Sequence, residues 1–181
     1  MLKRFIGVLL ILIFVLTGCN NDINNDVNIG TNNNVNKDID LSKYNVNLDE
    51  SNRITFTDDE LSEIDDVIDE LVKNNPELKN FTYVSGKGID NIKEEDYALI
   101  FVYKYCGPCK VYKGELFNYI NREDSFPIYL VDVENIENKR YIEKYSIQAT
   151  PTTLIFKNNQ LQVFEEGNLD ISTLESLIGD W

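Results

Sequence analysis

A chain of 181 residues is long enough for one domain with a sizeable core plus extensions. Its 31 Asp and Glu against 17 Lys and Arg leave a formal net charge of -14, which repels phosphate backbones and anionic headgroups; this argues against nucleic acid as a partner and against membrane attachment through charge. Without a single histidine it can build no Ser-His-Asp or Cys-His catalytic set, so the chemistry falls on three cysteines, Cys19, Cys106 and Cys109.

The N-terminus reads as an address. Lys3 and Arg4 precede a nearly unbroken apolar run over residues 5–16, and Leu16-Thr17-Gly18-Cys19 follows. As a helix the apolar run is about 18 Å long, too short for a bilayer core of about 30 Å, and the order of charge, apolar core and small residues is that of a secretory signal. The last four residues resemble the lipobox of bacterial lipoproteins. That resemblance implies cleavage after residue 18, a lipid thioether on Cys19, and a lipid-anchored protein on the extracytoplasmic face of a bacterial cell membrane. The Asn-, Ile- and Lys-rich composition points to an AT-rich, Gram-positive host. Residues 20–36 are dominated by Asn and lack apolar periodicity, so residues 19–53 are expected to be a disordered tether, spanning roughly 30–35 Å.

A helical extension is expected over residues 54–79. Thr57-Asp58-Asp59-Glu60 reads as a capping box, and Leu61, Ile64, Val67, Ile68, Leu71 and Val72 share one helical face until Asn74, Asn75 and Pro76 stop it. Residues 81–85 alternate as a short strand, broken by Gly86 and Gly88, and residues 89–95 fit a short helix or turn. Residues 97–103 are almost continuously apolar, the pattern of a strand covered on both faces. Cys106-Gly107-Pro108-Cys109 opens a helix to about Asn121. Residues 128–133 read as a buried strand, 137–145 as a helix, and 152–156 with 161–164 as a hairpin around Lys157-Asn158-Asn159-Gln160. Ser172-Thr173-Leu174-Glu175 reads as a second capping box before a C-terminal helix. From residue 81 the strands and helices alternate, which predicts an α/β fold: a central mixed β-sheet flanked by helices, with an additional N-terminal helix.

Cys106 and Cys109 lie three apart, a spacing that puts both side chains on one edge of a helical first turn, within reach of a disulfide. Pro108 is tolerated where the helix begins, and the N-terminal N–H groups favour a thiolate at Cys106. Lys104, Lys110 and Lys113 add local positive charge. Half a zinc site is the weaker reading, because four ligands are needed and the only other cysteine lies in the lipobox. So is an inert staple, since so short a loop gains little chain-entropy stabilisation.

Tyr105-Cys106-Gly107-Pro108-Cys109-Lys110, after an apolar strand and opening a helix, closely resembles the thioredoxin active site, and Thr150-Pro151-Thr152 resembles the cis-proline segment of thioredoxin-like proteins. Phe156-Lys157-Asn158 and Gly167 are further matches, so the resemblance covers residues 80–181. It implies a thioredoxin fold and a thiol–disulfide oxidoreductase that needs no metal or cofactor. Cys106 would be the nucleophile, Cys109 the resolving thiol, and the two would form a disulfide. Tyr105, Gly107, Pro108 and Lys110 would support the site, and Thr150 and Pro151 would hold the substrate. Gly-Pro between the cysteines resembles the reducing end of the superfamily. The expected activity is reduction of disulfides in exported proteins by a monomer recharged by a membrane redox partner; an oxidase or isomerase, or a non-catalytic module for peptide or bacteriocin export, are the alternatives. The sequence departs from the family at four positions. Tyr105 replaces the usual Trp, Gly114 stands where a kinking proline is common, and Ile100 and Leu130 replace the buried acid and its lysine, leaving proton transfer at Cys109 to water or another group.

Overall fold

The computed structural model describes residues 47–48 and 53–179. The expected signal segment, Cys19 and the Asn-rich tract over residues 20–36 lie outside them. Among the described residues no helix is long and apolar enough to cross a membrane.

The range expected as a disordered tether, residues 19–53, includes a paired strand. Strand β1 (Asn47–Leu48) pairs antiparallel with β2 (Ile54–Thr55). Ile54 is buried, and its backbone N–H donates to Asn118 Oδ1 at 2.7 Å while Asn118 Nδ2 donates back to its carbonyl at 2.8 Å. A paired backbone and a buried Ile outweigh the polar composition there.

The helical stretch over residues 58–74 is two helices, α1 (Asp58–Ser62) and α2 (Ile64–Asn74), parted at Glu63. Thr57 caps α1 through the capping box expected there: Glu60 N–H donates to Thr57 Oγ1 at 3.4 Å and Thr57 N–H to Glu60 Oε2 at 2.8 Å. At the break Ser62 Oγ donates to the Asp59 carbonyl at 2.6 Å, a side chain competing with the helical ladder. The carbonyl of Ser62 accepts from Lys110 Nζ instead of from its own helix. Ile64, Ile68 and Leu71 are the buried face of α2.

Then follow β3 (Thr82–Tyr83), α3 (Lys87–Asp90), β4 (Tyr97–Val102), α4 (Gly107–Ile120), β5 (Ile128–Asp132), a 3-10 turn (Ile136–Asn138) running into α5 (Lys139–Tyr145), β6 (Thr152–Lys157), β7 (Gln160–Glu166) and α6 (Ile171–Gly179). The expected strand over residues 81–85 has only two residues in the ladder. Five strands form a mixed sheet in the order β3-β5-β4-β6-β7; β3, β5 and β4 are parallel, and β6 and β7 are antiparallel to their neighbours. All six residues of β4 are buried, and the two-residue period splits them between two cores. Ala98, Ile100 and Val102 pack with Ile68 of α2, Leu116 of α4 and Leu174 of α6. Tyr97, Leu99 and Phe101 pack on the opposite face with Ile89 of α3 and Tyr141 of α5.

The hairpin turns through Asn158 at φ 50° and Asn159 at φ 60°, the two positive φ angles that a type I′ turn requires and Asn tolerates. The C-terminal helix starts one residue before the predicted box. Asp170 is its cap, accepting from Thr173 N–H at 2.8 Å and from the hydroxyls of Ser172 and Thr173 at 2.5 and 2.8 Å. Asp outcompetes Ser there because its carboxylate accepts all three bonds at once. They hold its carboxyl down at about 2.

Candidate active site

The site lies where β4 ends and α4 begins. Leaving the buried strand, the chain crosses Tyr103, Lys104 and Tyr105 and enters the helix at Cys106, its N-cap. An extended N-cap turns its side chain back over the first turn, so Cys109 N–H points at Cys106 Sγ from 3.1 Å. The cysteines are joined as a disulfide with Cα atoms 5.2 Å apart. Cys106 is half-buried, whereas Cys109 has no exposed surface. Gly107 and Pro108 form the exposed first turn.

Thr150-Pro151 is a cis peptide at the entry to β6. It brings the Thr150 carbonyl oxygen to 3.3 Å from Cys106 Sγ; in the reduced protein the thiol can donate to it. Pro151 is buried, and its carbonyl accepts from Gly167 N–H at 2.8 Å. Gly167 stands at φ +96°, a conformation that other residues rarely adopt, so this closure of β7 over the proline calls for glycine. Of the residues singled out in the sequence, Cys106, Cys109, Tyr105, Gly107, Pro108, Thr150 and Pro151 gather at this one end of the sheet. Tyr105 is 70% exposed and meets Tyr103 edge-on at 5.6 Å, forming an aromatic lip. Beside Thr150 a shallow cleft of about 510 Å³ is walled by Tyr103, Val133, Ile142, Ile147 and Ala149.

The lysines do not simply add positive charge. Lys104 Nζ lies over the Tyr105 ring at 5.9 Å, and Lys110 reaches the Ser62 carbonyl. Lys113, only 2% exposed, donates to both carboxylate oxygens of Asp65 at 2.7 and 2.8 Å. Asp65 also accepts from the Tyr83 hydroxyl at 3.1 Å; burial first, then the Asp65 charge, pushes that phenol well above its ordinary range and keeps it a donor. The apolar reading of the strands stands: Ile100 and Leu130 are register partners on β4 and β5, both fully buried on the face toward α4. Tyr112, fully buried on α4, sits within 3.3 Å of Thr153 Oγ1, and burial raises its phenol to about 12.

Gly114 serves close approach. A β-carbon there would come within 3.1 Å of Phe56 and 3.5 Å of Leu61, so the missing side chain lets the N-terminal addition lie against α4. The partners Asp65 and Phe56 were beyond sequence reasoning, although the single cation within the buried stripe of α4 was a readable hint that a carboxylate would have to meet it.

The sequence model of the Thioredoxin family matches residues 86–180, just over half of the chain. The chain belongs to the thioredoxin family. One solved structure agrees on the fold: a thioredoxin variant from Halobacterium salinarum shares 21% identity over 55% of this chain and 88% of its own, with a TM-score of 0.50. Mitochondrial thioredoxin 3 from Saccharomyces cerevisiae shares 22% over 56% of this chain and 95% of its own, TM-score 0.49, and Malassezia sympodialis thioredoxin 27% over 56% and 90%, TM-score 0.47. Thioredoxin-family membership makes the Cys106–Cys109 pair a redox disulfide, and the protein a thiol–disulfide oxidoreductase.

Proposed function

We propose that the protein is a lipid-anchored disulfide reductase for exported proteins, working on the extracytoplasmic face of the membrane. The observation that carries the chemistry is the placement of Cys106: half-exposed, at the N-terminus of a helix, 3.1 Å from a backbone N–H and 3.3 Å from the Thr150 carbonyl. The N–H and the helix dipole stabilise the thiolate, which is the attacking species. That thiolate attacks a substrate disulfide, and one substrate sulfur leaves with the electron pair. Cys109 then gives up its proton, attacks Cys106 Sγ and releases the second substrate thiol. The Thr150 backbone offers β-type pairing to an extended substrate chain, and the cleft walled by Val133, Ile142 and Ile147 seats an apolar substrate side chain.

Gly-Pro between the cysteines supports the reducing direction, and the lipobox-like Leu16-Thr17-Gly18-Cys19 supports the location. A membrane redox partner would return the electrons. The test is the reduction potential of the full chain in detergent, equilibrated against glutathione or dithiothreitol. A value near -270 mV is expected; one near -120 mV would make the protein an oxidase of exported thiols. Radiolabelled palmitate should enter the wild type and be lost in C19S. Loss of the acid at Ile100 favours a second reading, a client-binding module; its function would survive replacement of both Cys106 and Cys109 by Ser.

A further inference from the structure

The strand positions Ile100 and Leu130 are apolar, paired and fully buried. Yet the resolving cysteine must ionise while it is completely buried. The nearest buried cation on the same helix is Lys113, four residues beyond Cys109 and therefore on the same face. Helical side chains lean toward the N-terminus, a tendency that directs the Lys113 stem toward the turn that carries Cys109. Lys113 lines a cleft of about 370 Å³ that also borders Tyr105, Lys104 and Val102. There Asp65 holds it through both carboxylate oxygens. Asp65 lies on α2, outside the residues that the family model matches.

We propose that Lys113 and Asp65 are positioning residues for the resolving step, a charged pair from which Lys113 favours the Cys109 thiolate and Asp65 opposes it. The proposal rests on the thiol–disulfide reading of the site. In the mixed disulfide, Cys109 passes its proton to solvent, and its sulfur attacks Cys106 Sγ. The Cys106–substrate bond breaks as the Cys106–Cys109 bond forms, and the departing substrate sulfur takes a proton from solvent. Two electrons pass from the dithiol to the substrate, and no further reactant is needed. The N-terminal addition thus supplies a charged pair where the strands hold only apolar side chains.

Other ionisable groups face this region. From α2 and the break before it come Glu63 and Asp66, from β5 Asp132, and from β3 Tyr83. From α4 and its approach come Lys104, Tyr105 and Lys110, together with Tyr112, which turns to Thr153 on β6. Lys113 and Asp65 differ from these in being locked to each other, with Lys113 buried.

The test is the ionisation of Cys109 in the full chain carrying C106S, followed by the ¹³Cβ chemical shift of labelled cysteine against pH. It needs neither substrate nor turnover, so it answers separately from the direction of electron flow. K113M should raise the midpoint by about one pH unit, a tenfold loss of thiolate near neutrality, and D65N should lower it by about half a unit, a threefold gain in ionisation constant. A purely structural role would not move the two in opposite directions. Should K113M fail to fold, D65N decides alone, because Asp65 is 42% exposed and Asn nearly isosteric. A lowered midpoint in D65N supports the pair; an unchanged or raised one overturns it.

Discussion

Two regions of this molecule obey different rules. Residues 86–179 form a thioredoxin-family unit whose redox pair is set by local chemistry: an N-cap cysteine, a proline in the first turn and a helix dipole. Residues 53–83 lie ahead of the family match, and they contribute through long-range contacts. Ile54 is pinned to Asn118, Phe56 and Leu61 lie against Gly114, and Asp65 pairs with Lys113 from 48 residues away in sequence. The comparison teaches that a redox motif can be assembled by a few neighbouring residues while the partners of its flanking lysines, Ser62 and Asp65, come from a segment outside the family unit.

The comparison breaks most visibly if the addition is mere padding. Ile68 is 1% exposed between α2 and the sheet. Ile68→Ala should cost about 2–5 kcal/mol in urea unfolding through lost transfer energy and a residual cavity. A loss below about half a kcal/mol would show that α2 is not part of the folded core. Gly114→Val tests the same interface from α4: two methyls directed at Phe56 should cost about 1–3 kcal/mol by overpacking, and a thermal melt at or above wild type would contradict the close approach. The smallest effect belongs to α6. Asp170 is held at about 2, below its ordinary carboxylate value near 4. Its capping contribution is therefore complete above about pH 4 and lost as pH falls through about 2. Amide exchange in the first turn of α6 should accelerate across that window in the wild type. It should be fast and nearly free of this step in D170A, and identical profiles would remove Asp170 as the cap.

Most of the family unit was legible because its signals are local. Continuous apolarity over residues 97–102, the Cys-Gly-Pro-Cys helix start and the Asn158-Asn159 turn each follow from a few neighbouring residues, and the mixed character of the sheet follows from their alternation and the terminal hairpin. The addition was half legible. Its amphipathic face was plain, but the break at Glu63 depends on Ser62 turning to Asp59 and on Lys110 taking the Ser62 carbonyl. Gly114 was legible only as a replacement for a kinking proline, because its reason, Phe56, is far away in sequence. The C-terminal cap was displaced by one competition among neighbours, Asp170 against Ser172. Lys113 was noticed for its charge, but no pattern in the chain could reveal the carboxylate that faces it.

The central claim, nucleophilic attack by Cys106 with resolution by Cys109, is tested most directly by removing the resolving thiol. Reduced full-length C109S is mixed with insulin, the products are separated without reductant, and the linkage is mapped by peptide mass. The account predicts a stable mixed disulfide through Cys106, released by dithiothreitol and absent in C106S. No adduct, or an adduct formed equally well by C106S, would contradict it.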